Sequence, residues 1–181
     1  MKTRHLLFLL VWIPVLLSAQ AETKPPQEED LQIIEQFHVV GISVRTINQD
    51  GQAAKDIEAL WVRFWEDHIQ QQIPNNVSDD IYAVYTDYES DFNGPYTTII
   101  GLPVSTLENI PEGFVGITIE TATYQKFISK GKMPEAVVNT WMEIWGSEHL
   151  NRTYRADFTV HGEKYYDGDR AEVETYISVN R

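Results

Sequence analysis

Residues 60–65 (LWVRFW) and 140–145 (TWMEIW) repeat one pattern 80 positions apart: Trp, apolar, charged, apolar, Trp. Tryptophans four apart share one face of a helix, because 3.6 residues make a turn. The chemistry that two such pairs offer is binding. An indole face attracts a cation by about 0.5–2 kcal/mol, and its broad apolar surface stacks on flat molecules. Burial competes as an explanation. A buried Trp removes ~150–250 Å² from water, roughly 4–6 kcal/mol at ~25 cal/mol per Å². A binding role therefore requires aromatics from both segments to line one cleft.

Covalent and metal chemistry find little support. The chain has no cysteine, no Gly-x-Ser-x-Gly, no phosphate loop and no His-Glu-x-x-His. His38, His68, His149 and His161 are not at metal-ligand spacing from one another. Asp87, Glu89 and Asp91 alternate as in a calcium loop, but Phe92 takes the required glycine position and Thr98 the position of the closing glutamate. A solvated acidic hairpin tip is the better reading. No metal, no cofactor and no catalytic residue is assigned, and the chain is not read as an enzyme.

The elements that must position the tryptophans follow from periodicity. Residues 31–46 read as a strand, bent or interrupted near 37–41. Over 52–71, Ile57, Leu60, Trp61, Phe64, Trp65, His68 and Ile69 form one helical stripe, opened at Asp50 or Gly51 and stopped by Pro74. Strands at 81–86 and 96–104 are joined through Asn93-Gly94, a hairpin signal. After a turn-rich bridge at 107–113, residues 114–128 are strand-like with an interruption near 120–123. A helix runs from Pro134 to Gly146, and strands follow at 154–161 and 172–180. The sum is an α+β domain of two duplicated β-α-β-β units, 31–104 and 114–180, as an antiparallel sheet with two helices packed on it.

Ahead of the domain, Lys2 and Arg4, the apolar run 6–17 and Ala19-Gln20-Ala21 read as a secretory signal peptide cleaved after Ala21. The run is too short to span a membrane, which needs roughly 20 residues. An acidic linker with Pro25-Pro26 fills 22–30 and is expected to be disordered. The expected location is secreted or periplasmic. Without the leader, 12 basic residues face 27 acidic ones, a net charge of −15. That balance repels nucleic acid and anionic lipid and draws cations toward the surface.

Several stretches together resemble the GyrI-like small-molecule-binding domain, which is also the effector-binding domain of AraC- and MerR-type regulators. They are 82–91 (YAVYTDYESD), Gly94-Pro95-Tyr96, Ile100-Gly101, 130–134 (KGKMP), 141–145 (WMEIW), 154–158 (YRADF) and 173–177 (VETYI). The resemblance implies a cleft between the two halves, lined by aromatics and often holding a carboxylate that receives lipophilic cations. Carried over by position, the lining draws on His38, Trp61, Trp65, Tyr82, Tyr96, Trp141, Trp145, Phe158, His161 and Tyr176. Many relatives have Glu after the Asp-Phe pair and Tyr two residues on; here Thr159 and His161 stand there. Glu120 and Glu174 are the candidate substitutes, Glu174 because it shares a strand face with Tyr176. With a leader in place of a DNA-binding domain, the expectation is an exported, stand-alone binder of a lipophilic ligand, aromatic and tending to cationic. A hydrolase of small electrophiles and a protein-interaction or inhibitor module are the alternatives.

Overall fold

The computed structural model describes residues 31–180. The leader and linker expectations fall outside them. The chain orders as β1 (Leu31–Ile34), β2 (Phe37–Thr46), α1 (Gln52–Glu66), α2 (Ile69–Gln72), β3 (Ile81–Thr86), β4 (Tyr96–Val104), β5 (Val115–Ile119), β6 (Ala122–Lys130), α3 (Glu135–Gly146), β7 (Ala156–His161) and β8 (Glu172–Ser178). Two short 3₁₀ turns, Glu163–Tyr166 and Gly168–Arg170, lie between β7 and β8. No helix among the described residues is long and apolar enough to cross a membrane.

All eight strands join one antiparallel sheet in the order β1-β6-β8-β7-β3-β4-β2-β5. Exchanging β1–β4 for β5–β8 and reading backwards returns the same order, so the duplication is a pseudo-twofold with its axis between β3 and β7. The short first strand of each half pairs with the other half: β1 with β6, β5 with β2, in one unbroken register on either side of the bends. This is why the first strand breaks at Glu35–Gln36 rather than at 37–41. The bend lets one strand serve two neighbours, and Thr121 holds it by accepting from Gln36 N–H (2.9 Å) and donating to Glu35 (3.3 Å).

The first helix is also shorter than its stripe. Asp67 N–H bonds to Arg63 O, His68 N–H to Trp65 O, and His68 turns left-handed at φ 51°. The break re-aims the chain so that Ile69 and Ile73 pack on the sheet, 3% and 5% exposed. Both long helices lie on one face. Leu60 and Phe64 of α1 meet Val40, Ile42, Ile81, Ala83, Ile100 and Leu102, while Trp141 and Ile144 of α3 meet Ile177 and Val179. The opposite face holds a second core of Val39, Val84, Ile99, Ile119, Tyr124, Phe158 and Tyr176. In the acidic hairpin loop, Glu89 pairs with Arg45 at 2.6 Å and Asp91 accepts from Asn93 N–H at 2.8 Å, so the loop's own bonds use these carboxylates.

Candidate functional site

Strand alternation places Ile81, Ala83 and Tyr85 of β3, and Asp157, Thr159 and His161 of β7, under the helices. The register sets Ala83 opposite Thr159, on the pseudo-axis, with Tyr85 and His161 two residues away on opposite diagonals. Each helix then delivers its first tryptophan across the axis. Trp61 of α1 packs on His161, ring centroids 4.9 Å apart, and Trp141 of α3 meets Tyr85 edge-on at 4.8 Å. The two halves are thus interlocked: each tryptophan rests on an aromatic ring from the other half. Trp65 and Trp145 sit one turn on and are 43% and 37% exposed. Trp65 stacks back on Trp61 (6.4 Å) and Trp145 leans on Trp141 (6.0 Å), each on the more exposed side of its pair.

Tyr96 lies beside this group, 6.3 Å from Tyr85, with its hydroxyl donating to Asn48 at 2.8 Å. His38 is at the far end of the helix-side surface, hydrogen-bonded to Thr118 at 3.0 Å. Tyr82, Phe158, Glu174 and Tyr176 are on the other face of the sheet. There Phe37, Tyr82, Tyr124, Phe158 and Tyr176 form their own aromatic cluster, with centroids 4.9–5.8 Å apart. Phe158 and His161 are three apart on a strand, so they point to opposite sides. One cleft cannot draw on both groups. Glu174 does share a face with Tyr176, but it is not a free carboxylate. It accepts from Lys126 Nζ at 2.5 Å and from Tyr176 OH at 2.7 Å. Burial opposes its ionisation, and these two donors nevertheless hold it below the ordinary glutamate range. Glu120 ends β5 at an exposed bend.

Tyr85 is the residue that sequence reasoning missed. It was legible as an alternation partner of Ala83, but only the register shows it beneath Trp141. Burial pushes its phenol up to about 12, opposed by the Thr159 hydroxyl and the Trp141 indole beside it. Thr159 Oγ1 in turn lies 3.4 Å from His161 Nε2. A hydroxyl beside an imidazole is the start of a nucleophile–base pair, but a triad needs a third group on the other ring nitrogen. His161 Nδ1 is buried with no partner among the described residues, and Asp157 is committed to Arg152 at 2.7 Å.

Burial alone lowers His161 from 6.5 to about 4. Its folded pKa is thus depressed below the unfolded value, so its contribution to stability is present above pH 6.5 and lost as pH falls toward 4. Between pH 7 and pH 4.5 the His161→Gln variant is expected to lose about 2 kcal/mol less than the wild type. Urea unfolding at the two pH values measures this, and equal losses would refute it.

A family model described as "Cass2: Integron-associated effector binding protein" matches residues 31–179. YobU of Bacillus subtilis, a candidate transcriptional regulator, is 30% identical over 146 residues, covering 78% of this chain and 91% of that protein. Integron cassette protein VCH_CASS2 from the mobile metagenome of Vibrio cholerae superposes with a TM-score of 0.63 at 27% identity, over 83% of this chain and 94% of that one. SAV2435, solved bound to tetraphenylphosphonium, superposes at 0.69 with 19% identity over 83% and 92% of the two chains, a likeness of fold.

Proposed function

The chain belongs to the Cass2 family of integron-associated effector binding proteins, and from that premise we propose that it is a non-catalytic binder of a flat, lipophilic small molecule. The ligand lies between α1 and α3, over the Ala83–Thr159 centre of the sheet. The observation that carries this reading is the crossed pair, Trp61 on His161 and Trp141 on Tyr85, which brings two aromatic walls to one axis. The fold shared with SAV2435, which is solved with a lipophilic aromatic cation, supports the ligand class. Aromatic faces and the acidic surface favour a cation here too, but only modestly, by ~1 kcal/mol. Thr159 supplies no charge at the centre, and Glu174 is neutralised on the opposite face. Catalysis has less support, since the Thr159–His161 contact lacks a third group. We also propose that the protein is exported and begins at Glu22; mass spectrometry of periplasmic or secreted protein starting at any other residue argues against that.

Binding is tested by calorimetric titration with planar aromatic compounds, cationic and neutral. Trp61→Ala and Trp141→Ala are each expected to weaken binding about tenfold, roughly 1.4 kcal/mol, while Trp65→Ala and Tyr176→Phe change it less than threefold. Undiminished affinity in both tryptophan variants, with helical content retained, would place the ligand elsewhere.

A further inference from the structure

Seven buried side-chain polar atoms have no hydrogen-bond partner among the described residues: Thr98 Oγ1, Gln125 Oε1, Trp141 Nε1, Arg152 Nε and Nη1, His161 Nδ1 and Thr175 Oγ1. Apart from the two on Arg152, all belong to the helix side of the sheet or to α3. Three of them surround Thr159: His161 two residues along the same strand, Thr175 directly opposite on β8, and Trp141 beside Tyr85 and its Thr159 neighbour. Folded proteins pair such groups, because a buried donor or acceptor with nothing to bond costs stability. Their convergence at the point where two tryptophans meet across the axis is therefore a property of the site. His161 is the best placed. Its ring packs between Trp61 at 4.9 Å and Tyr165 at 5.2 Å, both tilted to it, and of its two nitrogens Nε2 meets Thr159 while Nδ1 has no partner among the described residues.

We propose that the site between α1 and α3 selects an aromatic ligand carrying a hydrogen-bonding group, a hydroxyl or an amide, and that His161 Nδ1 is the atom that selects it. This rests on the binding site argued above and adds what that site reads. The imidazole is buried and neutral, so it can take either tautomer. If Nε2–H donates to Thr159, Nδ1 accepts from the ligand; if Thr159 donates to Nε2, Nδ1–H donates. At Thr159 and His161 this chain offers neutral hydrogen-bonding groups and no charge.

The test uses three probes on the full-length folded protein by calorimetry: 2-naphthol, its methyl isostere 2-methylnaphthalene, and tetraphenylphosphonium. The wild type is expected to bind 2-naphthol at least tenfold more tightly than 2-methylnaphthalene. In His161→Phe that ratio falls to near one, with 2-methylnaphthalene affinity kept or improved; Thr159→Val, which removes the neighbour but not the imidazole, lowers it partly. Equal affinity for the two naphthalenes in the wild type overturns the proposal and leaves the binding site standing. So does a tenfold ratio that survives in His161→Phe, or in His161→Leu should the former not fold. Binding of none of the three probes overturns the site and this proposal together.

Discussion

Asp157→Ala is expected to destabilise the fold by about 3–5 kcal/mol, the usual result of removing one partner of a buried ion pair. Asp157 is wholly buried, and its Arg152 partner is 4% exposed. Both carboxylate oxygens are used. Oδ1 accepts from Ser178 N–H at 2.8 Å and Ser178 Oγ at 3.0 Å, and Oδ2 from Arg152 at 2.7 Å and Tyr88 OH at 3.1 Å. Alanine would leave the guanidinium between the rings of Tyr154 (4.4 Å) and Tyr88 (6.0 Å) with no counter-charge. For a chain of this size, a loss of 3–5 kcal/mol lowers Tm by roughly 10 °C. The double variant Arg152→Met, Asp157→Asn is expected to lose less than Asp157→Ala, because no unpaired charge is then buried. Thermal and urea unfolding of both decide it; a double variant less stable than the single one would show that the pair itself, not the stranded charge, sets the cost. The same carboxylate joins the loop after β3, through Tyr88, to β7 and β8, and so holds β7 in the register that seats Thr159 and His161.

Gly101→Val is expected to abolish soluble expression, and Gly101→Ala to cost more than about 4 kcal/mol. Gly101 of β4 faces Gly41 of β2. A Cβ on Gly101 would fall on the Val40 carbonyl, 2.7 Å from its carbon, and one on Gly41 would lie 2.6 Å from the Ile100 carbonyl carbon. These obstacles are backbone, which cannot rotate aside as a side chain can. The two backbones approach closely here, while Val40, Ile42, Ile100 and Leu102 of the same two strands fill the helix-side core. Wild-type stability in Gly101→Ala, measured by denaturation, would mean that the strands separate at little cost.

Much of this architecture was written locally. Period-two alternation marked β3 and β4, the Asn-Gly signal their turn, and the i, i+3, i+4 stripes the two long helices. Where local reading failed, a long-range bond had intervened. The stripe through His68 looks unbroken, yet the chain turns left-handed there because Ile69 and Ile73 gain a place on the sheet. The bend of the first strand moved to Glu35–Gln36 because β1 pairs with a strand some 90 residues away in the other half. The site divides in the same manner. That Phe158 cannot share a face with Thr159 and His161 follows from strand parity alone; that Glu174 and Tyr176 lie on Phe158's face follows only from the register of β7 with β8. That Glu174 is answered by Lys126 follows only from the pairing of β6 with β8.

The sequence by itself determined two repeats, each with one amphipathic helix and a pair of tryptophans on that helix's inward side, because helix and strand periods are properties of neighbouring residues. The tertiary structure decided which tryptophan of each pair goes in. Trp61 and Trp141 meet His161 and Tyr85, while Trp65 and Trp145 stay partly exposed, and the two pairs are chemically alike. What separates them is the antiparallel register of β3 with β7, which sets Ala83 against Thr159 and so brings the ring beneath each tryptophan from the opposite half. No local period encodes that alignment. It is fixed by the pairing of strands from both halves into one sheet, and the chemistry of the site comes with it.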